Sequence, residues 1–227
     1  DAMKNEFISS VSHELRTPLT AIRGWAETIR TERDPVIFKK GIRVITNETE
    51  RLSQMVEELL DFSRMQSGHF TLQQSAMDVL AELGEAALIY AERAKIEDIT
   101  MTYEEPEMLP VVYGDKNRIR QVFINIIDNA IKYSNRGGTV KIVAGTSPEG
   151  DIRVTVEDNG CGIRKSDLPK IKTKFYKANH TKKGSGIGLA VADEIIQMHG
   201  GTLTLESEEG KGTKVTITIP PQKTEDK

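Results

Sequence analysis

The sequence predicts an α+β protein built from a helical hairpin and a following domain of strands and helices. Apolar residues recur with a seven-residue period through roughly the first sixty residues, which is typical of helices that pack side by side. After Met65–Phe70 this period ends, and stretches of alternating apolar and polar residues, typical of strands, are interleaved with helical stretches. The composition, 37% hydrophobic and 29% charged, is that of one or two compact domains. These observations favour strands packed on one layer of helices.

The hairpin is predicted from two apolar stripes. With Ile8 at heptad position a, the first helix places apolar residues at a and d, namely Leu15, Ile22, Ile29, Val11 and Trp25. The segment TERDP, Thr31–Pro35, breaks this register. The second helix carries its stripe at Phe38, Ile45, Leu52 and Leu59.

In the second helix Gly41 and Glu48 also fall at position d, which weakens its register. A two-helix hairpin cannot cover its own apolar stripe. We therefore predict a homodimer in which two antiparallel hairpins form a four-helix bundle.

The rest of the chain predicts three helices and five strands. They are a helix over residues 79–95, a strand over 99–103, a helix within 114–134, strands over 139–146 and 151–158, a helix over 188–200 and two final strands. Asp115 is the predicted N-cap of the second of these helices. The turn sequence SPEG predicts that the strands on either side of it form a hairpin.

Composition excludes several classes of function. No apolar run of about 18 residues could span a bilayer, and the net charge of −3 offers no general attraction to nucleic acid. The single cysteine, Cys161, excludes an internal disulfide framework and fits a reducing compartment, so a cytoplasmic location is expected. The chain begins with helix-like sequence, DAMKNEF, as expected of a piece of a longer protein.

A histidine and a proline interrupt the first helix. His13 falls at heptad position f, so its imidazole should be exposed. Pro18 has no N–H, so the carbonyl of Glu14 loses its helical hydrogen bond, at a cost of about 3 kcal/mol. A surface histidine beside a harmless kink is the ordinary interpretation, whereas the neighbouring carboxylate favours a site with local plasticity. His69, His180 and His199 show no metal-ligand spacing and are predicted to be surface residues.

Three stretches of the second half suit a nucleotide. NIIDNAIKYS places Asn125 and Asn129 one turn apart on a helix, and VEDNGCGI ends a strand with Asp158 followed by glycines. GSGIGL opens a helix, where bare N–H groups and the helix dipole attract phosphate. Its spacing does not match G-x-G-x-x-G, and no G-x-x-x-x-G-K-[ST] occurs, so a Rossmann site and a P-loop are excluded.

In this order, the motifs resemble those of the sensor histidine kinases of bacterial two-component systems. SHELRTPL, Ser12–Leu19, resembles their H-box, and the three stretches resemble their N, G1 and G2 boxes, so the resemblance spans nearly the whole chain. It implies a dimerisation and histidine phosphotransfer domain, residues 1–67, and a catalytic ATP-binding domain, residues 68–227. The second domain would be an α/β sandwich of the histidine kinase, gyrase and chaperone type.

The resemblance also implies roles for individual residues. His13 would accept the γ-phosphoryl of ATP, and Glu14 would orient its imidazole and take its proton. Thr17 completes the E-x-x-T pattern of family members that also dephosphorylate their regulator. The implied nucleotide-binding residues are Asn125, Asn129, Lys132, Tyr133, Asp158, Gly160, Gly162, Lys177, Gly184, Gly186 and Gly188. Among these, Asn129 would ligate Mg²⁺, and Asp158 would accept a hydrogen bond from the adenine amino group.

The implied partners are a second copy of the chain and a cognate response regulator, with no nucleic acid, and an upstream sensor or membrane region in the full-length protein. An ATP hydrolase of the gyrase and chaperone type is one alternative, but it would carry a glutamate base where Asn125 stands. A catalytically silent scaffold that only senses nucleotide is another. One residue departs from the family pattern: Lys172 stands where the first phenylalanine of the F-box is usual, which bears on packing of the expected ATP lid, Lys177–Lys183.

Overall fold

The computed structural model describes residues 2–172 and 186–221, and within them the side chains of residue 9 and of residues 11 onward. The described chain divides into two compact units. One contains the residues up to Phe70 together with Gly186 and Ile187, and the other contains the residues from Thr71 onward, apart from those two. In the described part of the chain, no helix is long and apolar enough to cross a membrane.

The first unit is the predicted helical hairpin. Helix α1 spans Ala2–Thr31 and continues through Pro18, and α2 spans Pro35–Gln66. The connection is short because Asp34 caps α2, its carboxylate accepting the N–H of Val36 at 2.8 Å, while Pro35 occupies the first turn. Gly41 of α2 lies beside Ile29 and Trp25, whereas Arg51, ten residues later on α2, lies beside the earlier Glu14, so the helices are antiparallel.

Gly41 lies in the contact between α1 and α2. It is buried, and a Cβ added there would overlap Cγ2 of Ile29 and lie 2.9 Å from Cε3 of Trp25. The ammonium group of Lys40 covers the same indole, 5.7 Å from the ring centroid. The glycine therefore permits close approach of the two helices at a point where the sequence indicated only a weak register.

The second unit is a five-stranded sheet with helices on one face. Its helices are α3 (Val79–Ile96), α4 (Lys116–Tyr133) and α5 (Gly188–Met198), and its strands are β2 (Thr100–Glu104), β4 (Thr139–Thr146), β5 (Ile152–Asp158), β6 (Thr202–Glu208) and β7 (Gly212–Ile219). The strand order is β2-β4-β5-β7-β6, with β2 and β4 parallel and the other pairs antiparallel. Alternate residues of β4 and β5 are buried, as expected for a sheet covered on one face. The predicted α+β class is confirmed.

Buried apolar side chains and N-caps stabilise the helices of the second unit. Helix α4 packs between α3 and α5 and contributes fully buried side chains such as Phe123 and Ile127 to the core. Asp115 is its N-cap, as predicted, and accepts the N–H groups of Asn117 at 3.1 Å and Arg118 at 3.2 Å.

Two short strands were not predicted. Strands β1 (Ser75–Met77) and β3 (Val112–Gly114) pair with each other in an antiparallel two-stranded sheet. Three residues are too few to display an alternating pattern, so neither strand is visible in the sequence.

The prediction that His199 is a surface residue is wrong. His199 directly follows α5, and its imidazole is buried. Nε2 accepts the backbone N–H of Asp115 at 2.9 Å, and Nδ1 lies 2.7 Å from the carbonyl oxygen of Ile195. These two partners place the ring proton on Nδ1. His199 thus joins the C-terminal end of α5 to the N-terminal end of α4.

Candidate functional site

The two asparagines predicted on α4 lie one turn apart and differ in their surroundings. Asn125 is 7% exposed, and its Nδ2 donates to the carbonyl oxygen of Gly188 at 3.1 Å. This bond fixes the first residue of α5 against the middle of α4. Asn129 is half-buried, and its amide makes no hydrogen bond with any described residue. Its oxygen is therefore available to a ligand.

The C-terminal end of α4 contacts the loop that follows β5. The carbonyl oxygen of Tyr133 accepts the N–H of Cys161 at 3.1 Å, and a Cβ added to Gly160 would overlap that same carbonyl. Only glycine fits such a backbone contact. The ammonium of Lys132 lies 5.0 Å from the centroid of the Tyr133 ring, within the range of a cation–π interaction.

Asp158 ends β5 with a buried carboxyl group. It is 8% exposed, and its Oδ1 accepts the N–H of Gly160 at 2.9 Å. Burial raises the pKa of Asp158 above its ordinary value, and hydrogen bonds from the backbone of Gly160 and Thr213 oppose that rise. A desolvated acceptor at the end of a strand is suited to a ligand N–H group.

A turn that sequence analysis did not single out supports this loop. Gly162 has φ +63°, and a Cβ there would overlap the carbonyl of Glu208, while the N–H of Gly210 donates to Cys161 at 2.8 Å. Gly212 packs in the same way on the carbonyl of Asp158. The turn between β6 and β7 therefore contacts and supports the loop that follows Asp158. Its sequence, EGKGT, carries two closely spaced glycines before a strand, and that signal could have identified it.

The contacts of α4 bring the three predicted stretches together. Asn125 contacts Gly188, from the third stretch, and Tyr133 contacts Gly160 and Cys161, from the second. Gly186 has φ +71° just before α5, in a conformation that favours glycine. Lys177 and Gly184, the other predicted nucleotide-binding residues, lie outside the described residues, as does the segment expected to form the lid.

His13 lies in α1 with an exposed side chain, as predicted from its heptad position. The imidazole makes no hydrogen bond with a described residue, while its backbone carbonyl accepts the Thr17 hydroxyl at 3.2 Å. The Glu14 carboxylate points to the other helix, where its Oε2 lies 3.4 Å from Nη2 of Arg51 on α2. The expected contact between Glu14 and the imidazole is therefore not formed in this structure.

The residues present are compatible with a magnesium ion that arrives with a nucleotide. The described residues contain no group of three or more His, Cys, Asp or Glu side chains that could hold a metal. Mg²⁺ commonly takes only one or two protein oxygens and completes its shell with water and phosphate oxygens. The unengaged amide of Asn129 fits that mode of binding.

Two family models match the chain. Residues 3–68 match the His Kinase A (phospho-acceptor) domain, and residues 114–223 match the histidine kinase-, DNA gyrase B-, and HSP90-like ATPase family. The first match contains His13, and the second contains every described residue of the predicted nucleotide site.

Individual proteins give the same result. The chain is 35% identical over 227 residues to the sensor histidine kinase WalK of Bacillus subtilis (strain 168), covering 97% of this chain and 37% of WalK. The structure of the Acinetobacter baumannii histidine kinase AdeS is similar, with TM-score 0.69 and 30% identity over 92% of this chain and 97% of that one. The histidine kinase ThkA in complex with response regulator protein TrrA matches with TM-score 0.72 and 27% identity, over 97% of this chain and 63% of that one. The chain thus spans little more than a third of the length of WalK.

Proposed function

Because the chain belongs to the sensor histidine kinases of two-component systems, we propose that it phosphorylates His13 from Mg-ATP and passes the phosphoryl group to an aspartate of a response regulator. In this proposal residues 1–67 form the dimerisation and phosphotransfer domain, and residues 68–227 form the ATP-binding domain. The observation that carries it is the convergence of the three glycine- and asparagine-containing stretches on α4, in a chain that also exposes His13.

In this proposal a small number of side chains and backbone groups bind the nucleotide. The Asp158 carboxylate accepts the adenine amino group, which distinguishes adenine from guanine, and the bare backbone of Gly160 and Gly162 allows the base to approach. The first N–H groups of α5, from Gly188 onward, face the phosphates with the positive end of the helix dipole. Asn129 supplies an oxygen to Mg²⁺, and Lys132 and Tyr133 flank the nucleotide. Bound Mg²⁺ neutralises charge on the phosphates.

The transfer forms one bond and breaks one. A ring nitrogen of the neutral His13 imidazole attacks the γ-phosphorus, and the bond from that phosphorus to the bridging oxygen breaks, so ADP leaves with the electron pair. The proton on the other ring nitrogen passes to the Glu14 carboxylate. The phosphoryl group then moves from His13 to the regulator aspartate, which releases the imidazole.

The hairpin exposes an apolar surface that a second copy would cover. Its large exposed apolar side chains are Leu19, Val36, Ile37, Phe38, Ile42, Val56 and Leu60. Such a surface is expected to be buried in a symmetric dimer, so we assign the homodimer to a four-helix bundle formed by two hairpins. A response regulator is the proposed partner because the similar kinase ThkA has been solved in complex with one.

We also propose that the protein has phosphatase activity towards the regulator. Thr17 lies one turn after His13 on the same exposed face, where its hydroxyl can hold a water molecule in line with an aspartyl phosphate. The alternative of an ATP hydrolase finds no support at Asn125, since an amide bonded to Gly188 cannot serve as the base that activates water.

Radiolabelled Mg-ATP tests the proposal. The wild-type dimer should acquire acid-labile, alkali-stable label on protein, and His13→Gln should lose the label while binding nucleotide with nearly unchanged affinity. Asn129→Asp should lose the label yet remain dimeric, because the hairpin is untouched. Release of phosphate without protein-bound label would instead indicate a hydrolase, and neither product would indicate a scaffold. Retention of acid-labile label by His13→Gln would overturn the assignment of the phosphoacceptor.

A further inference from the structure

The helix-covered face of the sheet ends in a row of polar residues. Two successive cross-strand rows of β5, β7 and β6 are apolar, namely Val154, Ile217 and Leu203, then Val156, Val215 and Leu205. The next row consists of Asp158, Thr213 and Ser207. Because side chains two residues apart on a strand point to the same face, this polar row continues the apolar face as far as the carboxyl group of the candidate nucleotide site.

The Ser207 hydroxyl bonds both to the loop after Asp158 and to the start of β7. It accepts the N–H of Ile163 at 2.9 Å, donates to the carbonyl oxygen of Gly212 at 2.7 Å, and lies 2.8 Å from Oγ1 of Thr213. A serine hydroxyl has one proton and two lone pairs, so the Thr213 hydroxyl donates to it. These partners use the full hydrogen-bonding capacity of Ser207.

A single peptide group connects Ser207 to Asp158. The carbonyl of Gly212, which accepts the Ser207 hydroxyl, and the N–H of Thr213 belong to the same peptide. That N–H donates to the carboxyl group of Asp158. The peptide is planar and trans, so its C=O and N–H groups point in opposite directions. A hydroxyl that holds the oxygen of this peptide therefore also fixes the direction of its N–H.

We propose that Ser207 is a positioning residue for recognition of adenine, acting through the carboxylate of Asp158. The inference rests on the proposed function, in which this carboxylate accepts the adenine amino group. A hydrogen bond weakens steeply as its angle departs from linearity, so the carboxylate selects an amino group only while its oxygens are held in place. Ser207 restrains them through the peptide between Gly212 and Thr213. Through Ile163 it also restrains the loop whose Gly160 N–H bonds the same carboxylate at 2.9 Å.

A purely structural role for Ser207 predicts a different result. If the hydroxyl only closes the turn between β6 and β7, its removal should lower stability and weaken the binding of all nucleotides alike. If it acts through Asp158, the loss should fall on the contact with the amino group. Binding of a nucleotide without that group should then be almost unaffected.

The experiment measures dissociation constants by calorimetry for Mg-ADP and for the purine nucleoside diphosphate that carries hydrogen in place of the 6-amino group. The wild type should prefer Mg-ADP by about ten-fold or more, as expected for a hydrogen bond to a charged acceptor. Ser207→Ala should lose about three- to ten-fold in affinity for Mg-ADP, the contribution of one ordinary hydrogen bond, and little for the analogue. Ser207→Thr keeps the hydroxyl and should retain the preference.

The decisive comparison uses Asp158→Asn. If Ser207 acts through Asp158, adding Ser207→Ala to Asp158→Asn causes no further loss of affinity for Mg-ADP. Thr202→Ala is the matched control, since Thr202 lies at the other end of β6 with its Oγ1 2.6 Å from Oγ1 of Thr218. It should leave both affinities unchanged. Thermal unfolding confirms that each variant is folded.

The outcomes separate the inference from the function on which it rests. An unchanged preference for Mg-ADP in Ser207→Ala, or a loss that multiplies with that of Asp158→Asn, overturns the positioning role alone. Absence of nucleotide binding by the wild type overturns the proposed function and the inference with it. Where Ser207→Ala does not fold, Ser207→Cys carries the same test, because a thiol is a weak donor, and an unchanged preference in that variant overturns the role.

Discussion

The ammonium group of Lys172 lies 2.9 Å from Oδ1 of Asp193 on α5 and also donates to the backbone carbonyl of Leu203 on β6. The other oxygen of Asp193 accepts Nε2 of Gln197 at 3.0 Å. Strand β6 is an edge of the sheet and has β7 as its one neighbouring strand. A lysine at the position where the family usually carries phenylalanine thus links a loop, a helix and the sheet edge.

We expect replacement of Lys172 by Phe to destabilise the second unit. The aromatic ring cannot donate to Asp193 or Leu203, and it leaves a mostly buried carboxylate with Gln197 as its remaining neutral partner. The expected loss is about 1 kcal/mol, measured by thermal unfolding. Lys211→Met is the control, because Lys211 pairs with Glu208 while 71% exposed and should change little. Equal or greater stability in the Phe variant would show that an aromatic side chain can pack at this position.

Nucleotide affinity should fall in mild acid because of Asp158. In the proposed site the carboxylate form accepts the adenine amino group, and burial raises the pKa of Asp158, so binding should weaken as the pH falls through that raised value. Titration with a fluorescent ATP analogue between about pH 4 and pH 8 should place the loss above the ordinary aspartate pKa of about 3.9. Asp158→Asn should bind more weakly at neutral pH and show no such dependence. A wild-type affinity that stays constant down to pH 4 would contradict the assignment.

Titration of Asp158 should affect folding stability in the opposite direction to nucleotide binding. Between the ordinary pKa and the raised pKa, the folded chain holds a proton on Asp158 that the unfolded chain has released. The contribution of Asp158 to the free energy of unfolding therefore decreases as the pH rises through that interval. Burial penalises the carboxylate, and in the proposed site a bound nucleotide would supply the donor that offsets the penalty.

Gly41→Ala should destabilise the hairpin. The added methyl overlaps Ile29 and crowds Trp25, which forces α1 and α2 apart at an expected cost of about 1–3 kcal/mol. Gly24→Ala is a matched control on α1, because nothing lies within 4 Å of a Cβ at Gly24 and the substitution should stabilise the helix by about 0.5–1 kcal/mol. Thermal unfolding at fixed protein concentration distinguishes the two. Similar melting temperatures would show that the helices separate without cost.

Thr17→Ala should keep autophosphorylation and transfer but slow removal of phosphate from the regulator about ten-fold or more, because in the proposed phosphatase reaction the Thr17 hydroxyl positions the attacking water. The assay follows decay of phosphorylated response regulator in the presence of this protein and ADP. Thr28→Ala is the matched control, since Thr28 makes the same type of bond, to the Gly24 carbonyl at 2.9 Å, farther along α1. Equal decay with wild type and Thr17→Ala would leave Thr17 with only a structural role.

The sequence was most informative where the pattern is local. Helix α4 was predicted with its cap at Asp115, and strand β4 with its observed limits, because caps and alternation are properties of neighbouring residues. His199 was misplaced because its partner, the N–H of Asp115, lies far away in the chain and is a backbone group that no motif reveals.

The candidate site shows the same difference between local sequence patterns, which could be predicted, and contacts between distant residues, which could not. Asn125, Asp158 and the glycines were selected from their own stretches, whereas the contact of Asn125 with Gly188 follows only from the packing of α4 against α5. The pairing of Glu14 with Arg51 was likewise not foreseen, since the family resemblance implied a contact of Glu14 with its neighbour His13. Side-chain partners on different helices depend on tertiary packing, which periodicity does not specify.

The parallel pairing of β2 with β4 has a consequence for the order of folding. Thr100 pairs with Thr139, and both β3 and α4 lie between these residues in the chain, so a long loop must close before β2 can join the sheet. Strands β4 and β5 meet through a tight turn closed by the N–H of Ser147 and the carbonyl of Asp151, at 2.7 Å, which requires little loop closure. We therefore expect the β4–β5 hairpin to form early and β2 to dock late, after the helix that carries Asn125 and Asn129 has already folded.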